Sequence, residues 1–114
     1  MLLILDDCIH KIKNHQCPLL DEIVTRARHM RLTVFITTQK FNFLPHIIRN
    51  NMSMLALFRT ENQHELKTII DEVGADKDKF NTAYEYATHT PFSFLWVKIH
   101  PICMYYKGFD KINF

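Results

Sequence analysis

The sequence predicts an α/β fold with a mostly parallel sheet, helices on both faces and a hairpin at the C-terminal edge. Three observations predict it. Short apolar runs alternate with segments of helical periodicity, the run Leu32–Thr38 is rich in β-branched and aromatic residues, and the last two runs are separated by only a turn. Strands that alternate with helices imply right-handed crossovers and therefore parallel pairing. The 114 residues, 47% of them hydrophobic, are predicted to form one globular domain or part of one.

The first half of the chain alternates strand and helix. Leu2–Leu5 is a continuous apolar run that ends at two acids, which is typical of a strand buried on both faces of a parallel sheet. Apolar residues between Leu19 and Met30 recur at helical spacing, with acids in the first turn and bases in the last. Leu32–Thr38 is again strand-like, and a short helix is predicted to start at Pro45, a favoured first-turn residue.

The second half begins with a third apolar run, Met54–Phe58. Thr60 with Gln63 fits a capping box before a helix that ends at Gly74, a favoured C-cap residue. Asp76 is predicted to cap a further helix. The runs FSFLWVKI and CMYY then predict two strands joined by a turn, which gives the C-terminal hairpin.

Composition narrows the function classes. A formal net charge of +2 neither demands nor excludes a nucleic-acid partner. Three cysteines without framework spacing favour a reduced intracellular setting, and no apolar run approaches the length of a membrane span, so a soluble protein is expected. Only two glycines occur, so a nucleotide site built on a glycine-rich loop must come from outside this chain.

The segment LLILDD, residues 2–7, has the form of a Walker B element. A phosphoryl-transfer site needs one carboxylate on a rigid strand to organise Mg²⁺ and a second to orient the attacking water. The segment ITTQ ends the next predicted strand, so Gln39 is expected beside Asp6 and Asp7 if the two strands are neighbours. There its amide can bond a γ-phosphate or the attacking water. The alternative is a strand that ends in solvated acids, followed later by an ordinary polar loop.

Several blocks follow one another in a recognisable order: LLILDD, TRARHMRL, VFITTQ, LPHIIRNN, MLALFRT and HELKTIIDEVGAD. This order resembles the FtsK/HerA superfamily of P-loop DNA translocases and, within it, the poxvirus-type DNA-packaging ATPases of large DNA viruses. The closing segments PFSFLWVKI and YYKGFDKI also resemble the C-terminal part of those proteins. The resemblance covers essentially the whole chain. It implies that residues 1–114 are the C-terminal portion of a RecA-like P-loop ATPase domain that starts at the Walker B strand.

The resemblance also implies roles for individual residues. Asp6 matches the acid that binds Mg²⁺, Asp7 the acid that acts on the attacking water, and Gln39 the polar sensor that contacts the nucleotide. Many relatives have glutamate at the second position, and the aspartate here is one methylene shorter. Ring motors also use an arginine that acts on the neighbouring subunit's ATP. The candidates are Arg28, which is favoured, Arg31 and Arg59.

The complete protein is therefore expected to translocate double-stranded DNA into a viral capsid, with ATP and Mg²⁺ as cofactors. A homo-oligomeric ring is expected, with capsid components as further candidate partners and no membrane contact. The expected location is the host cytoplasm or viral factory, with association to the virion during assembly. No G-x-x-x-x-G-K-[ST] motif occurs, so the isolated chain is expected to be inactive. The alternative is a non-catalytic, degenerate ATPase-like module that binds an intact ATPase or DNA.

Two further clusters of polar residues allow a functional and an ordinary interpretation. The first is a group of possible zinc ligands whose spacing is not a familiar zinc pattern: Cys8, His10, His15 and Cys17. The second is a basic and amide-rich patch that either contacts DNA phosphate or caps a helix near a subunit interface: Lys40, Arg49, Asn50 and Asn51.

An aromatic set near the C-terminus could stack on nucleic-acid bases. Its period-two spacing favours the core face of a sheet instead. The members are Phe92, Phe94, Trp96, Tyr105 and Tyr106.

Overall fold

The computed structural model describes residues 1–7, 18–27, 29–100 and 102–113. They form two compact units, residues 1–51 and 52–114. The strands and helices, in chain order, are β1 (Leu2–Asp6), α1 (Pro18–Arg26), β2 (Thr33–Thr37), α2 (His46–Asn50), β3 (Met54–Phe58), α3 (Gln63–Val73), α4 (Lys77–Ala87), β4 (Phe94–Lys98), β5 (Met104–Lys107) and β6 (Asp110–Lys111). No helix in the described part of the chain is long and apolar enough to cross a membrane.

The first unit is built on the parallel pair of β1 and β2. Their register runs from Leu2 opposite Thr33 to Asp6 opposite Thr37, and helix α1 packs against α2. The first strand was predicted to be buried on both faces, which is wrong for this chain, because alternate residues of β1, and also of β2, are open to solvent. The exposed fractions are 53% for Leu2, 58% for Ile4 and 53% for Phe35.

The second unit contains a four-stranded antiparallel sheet in the order β3-β4-β5-β6. The α/β class is confirmed, but the prediction of a mostly parallel sheet is wrong, since only β1 and β2 pair in parallel among the described strands. The reason is the number of helices between β3 and β4. A single helix between two strands returns the chain to the end of the sheet where the first strand began, so the second strand runs parallel to it. Two helices in succession leave the chain at the opposite end, so the next strand runs antiparallel. The predicted hairpin is confirmed as β4 and β5, and the short strand β6 was missed.

Helix α4 covers one face of this sheet and forms the core of the second unit. Leu95 and Val97 are fully buried beneath it. Phe80 of α4 is also fully buried and makes an edge-to-face contact of 6.0 Å with Tyr105 of β5. Each such side chain stabilises the fold by about 1.5–3 kcal/mol through burial.

The opposite face of the antiparallel sheet carries a cluster of aromatic rings. The ring centroids of its members lie 5.4–6.5 Å apart along the contacts between Phe58, Phe94, Trp96 and Phe109. Phe58 is 57% exposed and Phe109 is 82% exposed. The second helix layer that the sequence predicted is therefore not found on this face among the described residues of the unit.

Helix α3 ends and helix α4 begins at a capping residue that the sequence predicted. Gly74 adopts a left-handed φ of 65° after α3, and Asp76 accepts hydrogen bonds from the N–H groups of Asp78 and Lys79 at the start of α4. The predicted capping box at Thr60 is wrong. Asn62 caps α3 instead, through an acceptor bond from the N–H of Glu65, because the helix starts later than the pattern suggested.

Candidate functional site

The carboxyl ends of β1 and β2 bring together residues that lie about thirty positions apart in the chain. Asp6 is the last residue of β1 and lies directly opposite Thr37, the last residue of β2. Asp7 follows β1 at once, and Gln39 follows β2 after one further residue. The predicted neighbourhood of Asp6, Asp7 and Gln39 is thus observed, since parallel strands present their carboxyl ends at the same edge.

Thr37 joins the two acids at this edge. Its hydroxyl donates a hydrogen bond to Oδ1 of Asp6 and accepts one from the backbone N–H of Asp7, with N and Oγ1 3.0 Å apart. The same N–H of Asp7 also donates to the carbonyl oxygen of Thr37 at 3.0 Å. Gln39 completes the group, because its amide Nε2 donates to Oδ2 of Asp7 at 3.3 Å.

The backbone of Asp7 is left-handed, with a φ of 51°. A residue with a Cβ pays about 1–2 kcal/mol for this conformation, and aspartate is among the few that adopt it with any frequency. The left-handed residue ends the strand. The hydrogen bonds that Asp7 N–H gives to Thr37 hold the backbone there.

Both acids and the amide are exposed, so the edge can meet a ligand from solvent. Their oxygen donors suit Mg²⁺, which in nucleotide sites takes one or two carboxylates and completes its shell with water and phosphate. Within residues 1–7, 18–27, 29–100 and 102–113, no cluster of three or more histidine, cysteine or acidic side chains could form an all-protein metal cage. The donor set fits a cation that keeps part of its shell for water or phosphate.

The candidate arginines differ in what can be described. Arg28 lies outside the described residues, as does the Cys8 to Cys17 group. Arg31 is exposed in a turn, with a φ of 52°. Arg59 is exposed just after β3 and pairs with Glu85 at 3.4 Å between Nη1 and Oε2.

The basic and amide-rich patch is partly engaged within the first unit. Arg49 is half-buried, with its guanidinium 5.6 Å from the ring centroid of Phe41. Asn51 is the C-cap of α2, and its Nδ2 donates to the carbonyl oxygen of Ile47 at 2.8 Å. One interpretation of the sequence was that this stretch caps a helix near a subunit interface. Asn51 does cap a helix, and the position near an interface stays a prediction. DNA contact stays a prediction.

The aromatic set divides between the two faces of the antiparallel sheet. Only Tyr105 is buried in the core. Phe94, Trp96 and Tyr106 are half-buried on or beside the face of the sheet that α4 does not cover. Phe92 lies in the turn before β4, where it is 96% exposed and left-handed, with a φ of 63°. The preference for a core position was therefore wrong for most of the set.

Surface depressions of about 450 and 370 Å³ are lined only by residues of the second unit. One lies beside Tyr86 and Lys107, the other beside Arg59 and Phe92. Neither involves the acidic pair. The acids and Gln39 lie exposed at the edge of the parallel pair.

Two carboxylates and an amide thus lie together at the carboxyl edge of two parallel strands, the edge at which ligands bind in parallel sheets. No protein-family model and no curated protein matches this chain. Solved structures do match. One is the genome packaging NTPase B204 from Sulfolobus turreted icosahedral virus 2 in complex with ATP-gammaS, at 23% identity and a TM-score of 0.64, over 86% of this chain and 47% of that one.

The same NTPase in complex with AMP matches at 24% identity and a TM-score of 0.66, with the same coverage. B204, the DNA-packaging ATPase from Sulfolobus turreted icosahedral virus, matches at 22% identity and a TM-score of 0.70, over 98% of this chain and 52% of that one. The chain thus shares the fold of these proteins and spans about half of their length. They are viral genome-packaging NTPases, the kind of protein that the order of sequence blocks resembles.

Thr37 was missed as a site residue. The sequence shows a hydroxyl residue near the end of a predicted strand, but that Thr37 lies opposite Asp6 follows only from the observed register. A hydroxyl in that position can bond the terminal acid. The pairing register needed to recognise this is supplied only by the structure.

Proposed function

We propose that this chain is part of an ATP-driven translocase of double-stranded DNA that packages a viral genome. In this proposal residues 1–114 form the C-terminal portion of a P-loop ATPase domain of the FtsK/HerA type. The observation that carries the proposal is the convergence of Asp6, Asp7 and Gln39 at one sheet edge, in a fold shared with packaging NTPases. Two of the matching structures were solved with ATP-gammaS and with AMP, which supports a nucleotide as the ligand.

Each residue of the edge has a proposed role. Asp6 would hold Mg²⁺, which when bound supplies charge neutralisation for the transferred phosphoryl group. Asp7 accepts a proton from, or orients, the attacking water, and Gln39 offers a neutral amide to the water or the γ-phosphate. The bond between Gln39 and Asp7 keeps these two side chains together before a substrate arrives. Arg28 is the proposed arginine that acts on the ATP of a neighbouring subunit.

The partners follow from the same proposal. Double-stranded DNA is the cargo, the working form is a homo-oligomeric ring, and capsid components are further candidate partners. The setting is a host cell during virion assembly. Phosphate-binding groups are to be supplied by residues outside these 114, because no phosphate-binding loop motif occurs among them.

The test is ATP hydrolysis by the full-length gene product that contains these residues, with and without linear duplex DNA. Asp7→Asn is expected to lower the rate by about 100-fold or more, the usual contribution of a group that handles a proton. Asp71→Asn is the matched control, since Asp71 is exposed on α3 in the second unit and should leave the rate unchanged. Hydrolysis that survives Asp7→Asn at the wild-type rate would overturn the assignment.

The 114-residue chain alone is expected to show no Mg²⁺-dependent ATP hydrolysis. A clear rate from the pure chain that is lost on Asp6→Ala would contradict this expectation. The alternative function, a non-catalytic module, is favoured by the lack of a phosphate-binding loop motif. It predicts that the chain co-purifies with an intact ATPase or binds DNA, and that substitutions of Asp6 and Asp7 change neither property.

A further inference from the structure

The hydroxyl of Thr37 lies between the two acids and hydrogen-bonds to both residues. Thr37 is exposed, so core packing does not explain why a threonine occupies this position. A hydroxyl has one proton to donate and lone pairs to accept. Here the proton goes to Oδ1 of Asp6 and a lone pair receives the N–H of Asp7. One atom thereby fixes both acids.

We propose that Thr37 is the positioning residue of this site. It holds the Asp6 carboxylate in one rotamer and stabilises the left-handed backbone of Asp7, so that the acids are in place before a cation or nucleotide binds. This inference rests on the proposed function of Asp6 as the residue that holds Mg²⁺. It adds the residue that makes the site pre-formed.

The first part of the argument concerns Asp6. An aspartate at the exposed end of a strand can rotate about both of its side-chain torsions, and that freedom is lost when it binds a cation. The bond from Thr37 engages Oδ1 and restrains those torsions in advance. Partners that hydrogen-bond a metal-binding carboxylate typically change metal affinity by about 10–100-fold when they are removed.

The second part concerns Asp7. Its N–H is shared between the carbonyl oxygen and the hydroxyl oxygen of Thr37, both at 3.0 Å. A left-handed aspartate persists only where its surroundings hold it. Removal of the hydroxyl leaves a single acceptor. The strand end is then expected to sample other conformations, in which the carboxylate of Asp7 leaves Gln39.

Thr37→Val tests the inference, because valine keeps the β-branched shape that suits a strand and removes only the hydroxyl. Thr37→Ser restores the hydroxyl. Thr33→Val is the matched control, since Thr33 is exposed four residues earlier on the same face of β2, at the other end of the strand. Asp6→Asn reports whether the cation site involves Asp6 at all. Circular dichroism of each variant checks that the fold is retained.

The first measurement is a titration of the chain with Mn²⁺ alone, followed by water-proton relaxation. Mn²⁺ serves as the probe because it accepts the same oxygen ligands as Mg²⁺ and is paramagnetic. Thr37→Val is expected to weaken Mn²⁺ binding by about tenfold, with Thr37→Ser and Thr33→Val close to wild type. The second measurement is hydrogen exchange of the Asp7 amide without any metal, which should be faster in Thr37→Val and not in Thr37→Ser.

The outcomes separate this inference from the function on which it rests. If Asp6→Asn weakens Mn²⁺ binding and Thr37→Val does not, the positioning role of Thr37 is wrong and the role of Asp6 stands. If Asp6→Asn has no effect, the role of Asp6 is wrong and this inference fails with it. An Asp7 amide that exchanges at the same rate in wild type and Thr37→Val would also overturn the inference.

Discussion

Tyr84 ties the end of β3 to helix α4 through two hydrogen bonds made by one hydroxyl. It accepts from the N–H of Thr60 at 2.8 Å and donates to the carbonyl oxygen of Thr60 at 3.0 Å, and its side chain is only 2% exposed. Tyr84→Phe removes that oxygen and keeps the ring. Two backbone groups in a half-buried position lose their partner. At about 1 kcal/mol for each net hydrogen bond, the free energy of unfolding should fall by about 2 kcal/mol.

Urea denaturation followed by far-ultraviolet circular dichroism measures this change. The midpoint should fall with little change in the slope, because the surface exposed on unfolding is nearly the same. Tyr86→Phe is the matched control on the same helix, since Tyr86 is 57% exposed and its ring, which phenylalanine retains, faces the ammonium group of Lys107 at 4.8 Å. The control should shift stability by less than about 0.5 kcal/mol. A Tyr84→Phe shift as small as that of the control would refute the reasoning. The result matters for function because Thr60 follows Arg59, a candidate trans-acting arginine.

Three further predictions concern the second unit. Asp76→Ala should lower the free energy of unfolding by about 1 kcal/mol in the same assay, because α4 loses its N-cap acceptor. No change in this free energy would show that the cap is dispensable. Gly74→Ala should also lower the free energy of unfolding by about 1 kcal/mol. A Cβ at this position meets no atom within 4 Å, so the only cost is that of the left-handed backbone, with its φ of 65°. A loss several times larger would show that the added Cβ clashes with neighbouring atoms. The pKa of Tyr105 is raised to about 12, mainly because the side chain is buried and to a lesser degree by the neighbouring Cys103 and Asp76. Unfolded tyrosine loses its proton near pH 10, so the folded form binds more protons above that pH. Stability should therefore fall as the pH rises from about 10 to about 12. Tyr105→Phe should abolish that fall, and a fall that persists in the variant would have another cause.

The positions of most strands and helices could be predicted because they depend on local pattern. Met54–Phe58 was predicted at its observed bounds, and the caps at Gly74 and Asp76 follow from residue chemistry alone. Pairing direction could not be predicted in the same way. It depends on how many helices separate two strands and on which neighbours are available, and that is information about the whole sheet. The exposed face of β1 was missed for the same reason, since an apolar run does not specify what covers it.

The site shows the same division between local and long-range information. Asp6, Asp7 and Gln39 were found because their residue types follow predicted strands, and the parallel pairing of β1 and β2 then brought them together. Thr37 was missed because its role depends on register, and the positive φ of Asp7 depends on the bonds that Thr37 makes. Residue types identify which groups can do chemistry, whereas the backbone fixes which of them act together.

Neither glycine of the chain is available to form a phosphate-binding loop at the acidic edge. Both are used elsewhere: Gly74 ends α3, and Gly108 takes a φ of 59° in the turn between β5 and β6. The two carboxylates of the edge attract a cation and repel phosphate, and the amide of Gln39 adds no charge. In the proposed function, affinity for the triphosphate must therefore come from other residues of the full-length protein. Asp7→Asn should then lower the rate of hydrolysis while nucleotide affinity, measured with ATP-gammaS, stays the same or increases. Weaker binding of ATP-gammaS in this variant would show instead that Asp7 contributes to the ground-state complex.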